Sequence, residues 1–411
     1  MLKRVVLLMM MTGGIPLRGA DVPAGGVDAG GVDAGGVDVA AGSADGIGGE
    51  IAEKQRLFRG PGRHLIPEDW SEAAEKTLGE RLRMKFALTY DALGLGTLGD
   101  GASGAASGDV ALSLRWQLLA EQRRAPLALS WRLRNRHAYS DDAPSVVEGG
   151  RGLLWRLVDG FNDRGLEVPE LYLEQQYFRK RMLLRWGQMA PDDLLDDHPL
   201  RSAKKQFLNQ AFSSSPAVGF PGSGLGLMGR WHFREVADVT VSASNVQTGN
   251  LDDGARWRLE SDALFQGVQG GWNFGDGQRL QLLVWRTDGL AVESLEADHG
   301  VSLTWSRVTD GGTRWFGRVA VADGGTVAAT KFGAAGVSFR GRESDRWGVG
   351  ISAGEDEHRS RDWQVAGESF YRWQLTPDLQ VTGFAQAAAG DDVSAGRGWL
   401  LAAGVRTGLR F

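Results

Sequence analysis

Residues 399–411, the last of the sequence, read Trp-Leu-Leu-Ala-Ala-Gly-Val-Arg-Thr-Gly-Leu-Arg-Phe. The odd positions Trp399, Leu401, Ala403, Val405, Thr407, Leu409 and Phe411 make one apolar row. The even positions Leu400, Ala402, Gly404, Arg406, Gly408 and Arg410 make a small or basic one. Strict alternation of this kind belongs to a β-strand with two unlike faces. Arg406 and Arg410 on the second face call for water or a charged partner there. An edge strand of a soluble sandwich is the competing reading, and the rest of the chain decides between them.

The same period of two runs back to Met84. It marks strands at 84–93, 109–119, 126–135, 170–178, 181–188, 224–234, 236–246, 263–274, 278–287, 299–308, 313–323, 331–341, 346–354, 362–375, 379–389 and 398–411. Most are near the ~9–11 residues of a tilted membrane strand, and their number is even. Connections alternate in length. Those at 120–125, 179–180, 235, 275–277, 309–312, 342–345 and 376–378 are short, whereas 94–108, 136–169, 189–223, 247–262 and 288–298 are long. A soluble sandwich has no cause to keep that rhythm. Val110, Leu112, Leu114, Trp116 and Leu118 oppose Ala111, Ser113, Arg115 and Gln117, and Trp131, Trp231, Trp305, Trp315, Trp347, Trp363, Trp373 and Trp399 all fall in the apolar register. Tryptophan there suits a bilayer interface. The expected fold is all-β, a 16-stranded antiparallel transmembrane β-barrel with short periplasmic turns, long extracellular loops and an N-terminal helix.

Lys3-Arg4, the apolar run Val5–Met11 and small residues up to Ala24 predict a signal peptide over 1–24. Three copies of Ala-Gly-Gly-Val-Asp and further Gly and Ala make 25–66 an expected flexible linker. Pro67-Glu68-Asp69 starts a helix expected over 67–83, and the barrel takes 84–411. The absence of cysteine excludes disulfides and thiolate chemistry. A formal net charge of −5 carries no polyanion-binding signature, so nucleic acid is not an expected partner.

The stretch Pro169–Phe233 holds Glu170-Leu-Tyr-Leu-Glu-Gln, Leu184-Arg-Trp-Gly-Gln-Met, Asp192-Asp193, Phe207-Leu-Asn-Gln-Ala-Phe and a Pro/Gly-rich return at 216–226. Together with the closing Gly408-Leu-Arg-Phe, it resembles the carbohydrate-selective porin family of Gram-negative outer membranes. The resemblance implies a sixteen-stranded barrel in the cell outer membrane that passes sugars or other small polar solutes by diffusion, without catalysis or cofactor. It also implies that Leu409 and Phe411 serve as the signal read by the barrel assembly machinery. Outer-membrane lipid and lipopolysaccharide are the expected surroundings, and homo-oligomeric assembly stays open.

A barrel of this size leaves an aqueous channel, so inward-register residues are the functional candidates. They are Arg115, Arg132, Arg134, Arg185, Arg230, His232 and Arg372, joined by Arg406 and Arg410. The segment 189–223 begins with Asp192, Asp193, Asp196 and Asp197, and continues through Arg201, Lys204 and Lys205 to Phe207, Leu208, Asn209 and Phe212. Aromatics on a loop need a wall to pack on. The expectation is that this loop folds inward as the constriction, setting acid and base across the pore from Arg132 and Arg134. The Asp192–His198 cluster lacks the spacing of a cation loop, so no metal is expected. None of the six histidines has a motif-like Ser or Asp partner, which argues against an enzyme. A channel for anionic solutes or exopolysaccharide and a non-transporting adhesin or structural barrel remain the alternatives. Alternation also predicts that Leu114→Arg is costly and Ser113→Arg nearly neutral.

Overall fold

The computed structural model describes residues 44–58, 64–65, 67, 73–74, 76–98, 103–119, 125–146, 151–246, 263–289, 296–342, 344–358, 363–394 and 398–411. The expected signal peptide and the three Ala-Gly-Gly-Val-Asp copies lie outside them. The first eight strands are β1 Met84–Leu98, β2 Gly104–Leu119, β3 Leu127–Ala138, β4 Gly165–Tyr177, β5 Met182–Met189, β6 Gly224–Phe233, β7 Ala237–Asn245 and β8 Leu264–Asn273. The second eight are β9 Gln278–Thr287, β10 Asp298–Val308, β11 Arg314–Ala322, β12 Lys331–Arg340, β13 Arg346–Glu355, β14 Gln364–Gln374, β15 Leu379–Gly390 and β16 Trp399–Arg410. All sixteen close into one antiparallel barrel, each strand pairing with its sequence neighbours and β16 with β1. At the seam Thr89 lies opposite Arg410 and Leu98 opposite Leu401. Phe411 extends it: its N–H donates to the Leu88 carbonyl at 2.8 Å, and the Leu88 N–H donates back at 2.9 Å. Closure leaves no sheet edge, which is what a lipid environment demands of strands.

The apolar register points outward. Val319, Ile351, Val349 and Val405 stand exposed on the outer wall. Trp116, Trp272, Trp305, Trp315, Trp347 and Trp373 are likewise exposed, each near a short turn, while Trp363 and Trp399 sit near the opposite end. Indole rings whose edges stay wet mark the two interfaces of a bilayer, and the skin between them is the apolar band.

Three boundaries differ most from expectation. β1 runs on to Leu98 and β2 starts at Gly104, so most of the long loop expected at 94–108 is ladder, with Leu93 opposite Ser107 and Gly96 opposite Gly104. β4 starts at Gly165 rather than 170. Glycine, alanine and serine blur the hydropathy alternation at 94–108, and at 165–169 it is broken by Pro169 and by a shift of register between the Arg132–Glu170 and Arg134–Glu167 pairings.

The stretch read as linker contains a helix, α1, at Ile47–Phe58. It lies against the inner wall of β1, β2 and β3, with Ile47 and Ile51 buried on Ala87, Tyr172, Leu183 and Met228. Gly/Ala composition suggested flexibility because Ile47 and Ile51 have nothing local to pack on; the barrel wall supplies it. Of the helix expected over 67–83, the described residues contain a π-helical turn at Lys76–Arg81 with no buried residue.

Candidate functional site

The lumen is divided. On its inner face the β11–β16 side presents Phe316, Phe332, Ala334, Ala366, Phe370, Phe384 and Leu400, and two connections fold in to cover them. The β3–β4 connection, residues 139–164, contributes Trp155, Leu157, Val158 and Phe161. The β5–β6 connection, residues 190–223, contributes Leu200, Phe207, Leu208 and Phe212. Phe207 meets Phe370 edge to face at 5.0 Å and Phe212 at 4.9 Å. The wall makes room for them. A Cβ added at Gly336 would lie 3.0 Å from the Phe207 ring, and one at Gly350 would lie 3.1 Å from Phe212. Glycine there lets a ring lie directly on the backbone. This side is closed by a packed apolar core, with buried polar groups such as Glu368 and Arg318 beside it, so the expectation of a lumen face open to water throughout is corrected: hydropathy gives an inner face its polarity but not what folds over it.

β5 runs into the β5–β6 connection past a close backbone approach. Gly187, in β5, has φ +137°, and a Cβ there would lie 2.5 Å from the Leu171 carbonyl oxygen. Further along, Asn209 caps a short helix, α2 at Gln210–Ser213, by accepting from the Ala211 N–H at 2.9 Å. The N–H groups of Leu208 and Asn209 donate to the Glu368 carboxylate at 2.8 and 2.7 Å. Asn209 therefore shapes the loop.

The wall of β1–β5, together with the seam strand β16, carries a ladder of ion pairs. Arg410 meets Asp91 at 2.7 Å, Arg134 binds Asp109, and Arg132 meets Glu170 at 2.8 Å. Arg185 lies between Glu174, at 2.8 Å, and Asp193 of the connection. Arg115 donates to Glu174 at 3.1 Å. Carboxylates share the inward register with the arginines, and register pairs them across strands: Arg132 opposite Glu170 and Arg185 opposite Glu174. Alternation found the arginines but missed these acids, because partnership depends on strand register.

The acidic start of the connection is spent on cations. Asp192 binds Arg201 at 2.5 Å, Asp193 binds Arg185, and Asp196 binds Arg318 at 2.9 Å. Burial raises the Asp197 carboxyl above its ordinary range against the pull of Arg201 and Arg230. His198 stacks on Phe316 at 4.2 Å. Of the remaining candidates, Arg230 donates to Thr240 at 2.9 Å, Arg372 to the Lys205 carbonyl at 3.0 Å and Arg406 to the Gln206 carbonyl at 2.8 Å. His232 sits half-buried opposite Asp238.

Lys204 crosses to this wall, 3.4 Å from both Asp91 and Asp109 and 3.6 Å from Glu50 of α1. Burial would lower its pKa, but these carboxylates outweigh burial and raise it. For Glu50, burial works against ionisation, yet Arg132, Lys204, Lys205 and the Ser113 hydroxyl hold it below the usual carboxylate value. A cavity of about 270 Å³ lies where the wall, the two connections and the start of α1 meet, lined by Arg132, Arg134, Asp109, Asp159, Asp192, Asp193, Arg201 and Lys204 among others. Acid and base thus face each other around a polar space in a closed barrel. Leu409 and Phe411 lie in the outer register of the seam strand.

No protein-family model matches the chain, and no curated protein matches it. Solved structures do. The high pH structure of Pseudomonas putida OprB aligns with a TM-score of 0.70 at 15% identity, over 84% of this chain and 97% of that one. Its low pH structure aligns at 0.54 and 15% identity, over 86% and 100%. Salmonella typhi OmpF, in a complex with daunomycin, aligns at 0.53 and 10% identity, over 80% and 97%. Identities this low carry the fold alone, and the fold is that of these barrels.

Proposed function

We propose that the chain is an outer-membrane porin through which small polar solutes diffuse passively, carbohydrates foremost. The observation that carries this reading is the charged cavity. Its volume sits just under the ~300–1,000 Å³ usual for small-molecule sites. Arg132, Arg134 and Arg201 offer planar sets of donors, and Asp109, Asp159 and Asp192 offer acceptors. A sugar hydroxyl both donates and accepts, so it can exchange its water for both sets at once. The lining charges are paired with one another, so a bare ion of either sign meets no net countercharge to replace its water. The likeness of fold to the OprB and OmpF structures supports a channel and, indirectly, an outer-membrane setting.

The test is swelling of liposomes carrying the purified protein, with monosaccharides, disaccharides and organic acids as osmolytes. Neutral monosaccharides should enter fastest. Swelling no faster than in protein-free vesicles for every neutral sugar, with organic acids entering rapidly, would sink the carbohydrate reading in favour of anion transport.

A further inference from the structure

Two of the bodies inside the barrel are held by different forces. The β5–β6 connection is buried through Phe207, Leu208 and Phe212 in a continuous apolar core. Helix α1 buries Ile47 and Ile51 and is otherwise fastened by charge. Glu50 accepts from Ser113 at 2.6 Å and lies 3.2 Å from Arg132 and 3.6 Å from Lys204. Glu53 lies 2.8 Å from Lys205 and 3.5 Å from Arg410. Just ahead of the helix, Asp45 accepts from the Ser202 hydroxyl at 2.6 Å. The helix itself is weak, with Gly48 and Gly49 in its first turn.

Its position matters as much as its fastening. Asp45 and Gly46 line the cavity. From there twelve helical residues, about 18 Å at 1.5 Å each, continue down the inner wall. Past the helix, His64 Nδ1 and the Leu65 N–H both engage the Asp378 carboxylate, at 2.7 and 2.8 Å, in the short turn between β14 and β15. The path from the cavity to the short-turn mouth is thus followed by the helix, and the chain is secured at that mouth independently of it.

We propose that α1 is a removable plug: it closes the channel below the cavity through Glu50 and Glu53, and solute crosses when those carboxylates leave Arg132, Lys204, Lys205 and Arg410. This rests on the porin reading above. Polar pairs can be exchanged for water and for the hydroxyls or carboxylates of a solute, whereas the phenylalanine core of the connection cannot. The Asp378 anchor retains the chain at the mouth when the helix leaves.

The chain has no cysteine, so an introduced pair would be its only thiols. Asp45→Cys with Ser202→Cys joins the start of the helix to the connection, and planar-bilayer conductance is read before and after reduction. Silence when oxidised and conductance when reduced is the expected result. Equal conductance in both states overturns the plug. Silence in both states, from protein that inserts and shows heat-modifiable mobility, overturns the channel reading on which the plug depends. Independently of the cross-link, Glu50→Gln with Glu53→Gln should raise the open fraction several-fold, and an unchanged open fraction overturns the inference.

Discussion

Ser113 and Leu114 are neighbours in β2 that face different surroundings. Leu114 is in the outward row, packed under its neighbours and close to the interfacial Trp116, so arginine there should be destabilising by less than the ~2–4 kcal/mol of the bilayer midplane. Ser113 has no accessible surface, donates to Glu50 and accepts from Arg132 Nε at 3.1 Å. Alternation alone makes Ser113→Arg harmless; the structure reverses that, because a third charged chain cannot enter a filled site without separating a buried pair, a loss of about 3–5 kcal/mol. Unfolding titrations in lipid vesicles should find both variants destabilised. A Ser113→Arg protein as stable as wild type would place water rather than α1 against this wall. At the same scale, Phe207→Ala should cost ~3–5 kcal/mol, since its ring fills the space left by Gly336 and meets Phe370. The same titration checks it, and a loss below about 1 kcal/mol would mean the connection does not depend on this core.

The β5–β6 connection behaves as an element with its own pH response. Burial, reinforced by Arg318 and Arg201, holds the His198 imidazole well below its ordinary value near 6.5. The folded loop keeps His198 neutral, while the unfolded chain protonates it below about 6.5. Stability from this site is therefore full above that value and declines as pH falls through it toward the depressed folded value. Wild type should lose stability between about pH 7.5 and 5 more steeply than His198→Gln, by up to about 1.4 kcal/mol per pH unit. Parallel profiles would show the ring reaching water. Excising residues 196–212 tests the element directly, since it removes Phe207, Phe212, Lys204 and Lys205 together. Single-channel conductance should rise, and the distinction between monosaccharides and larger sugars in swelling assays should flatten. Wild-type values of both, from a barrel that still inserts, would put the constriction elsewhere.

For the whole molecule, closure is the decisive event, and it ends at Phe411. Its backbone makes two hydrogen bonds to Leu88, at 2.8 and 2.9 Å. Deleting Phe411 removes both, along with the outermost aromatic of the seam. The amount of heat-modifiable, membrane-inserted protein should fall severalfold at native expression levels. Undiminished insertion would show that the β1–β16 ladder from Thr89–Arg410 to Leu98–Leu401 closes without it.

Alternation from Trp399 to Phe411 and its repetition back to Met84 determined the strand count, the lipid face and the inward arginines, because a period of two is a local property of backbone geometry. The aromatics of 207–212 likewise announced an inward loop, since apolar rings need a wall. Tertiary structure alone decided what those features meet. Arg132 finds Glu170 and Glu50 only once strand register and a helix far away in sequence are set side by side. Ile47–Phe58 looks like linker because its stabilising partners belong to the barrel rather than to the helix. The concentration of apolar packing on one side of the lumen and of ion pairs on the other arises from which wall the two connections cover, a choice made by shape and charge over distances that no local pattern records.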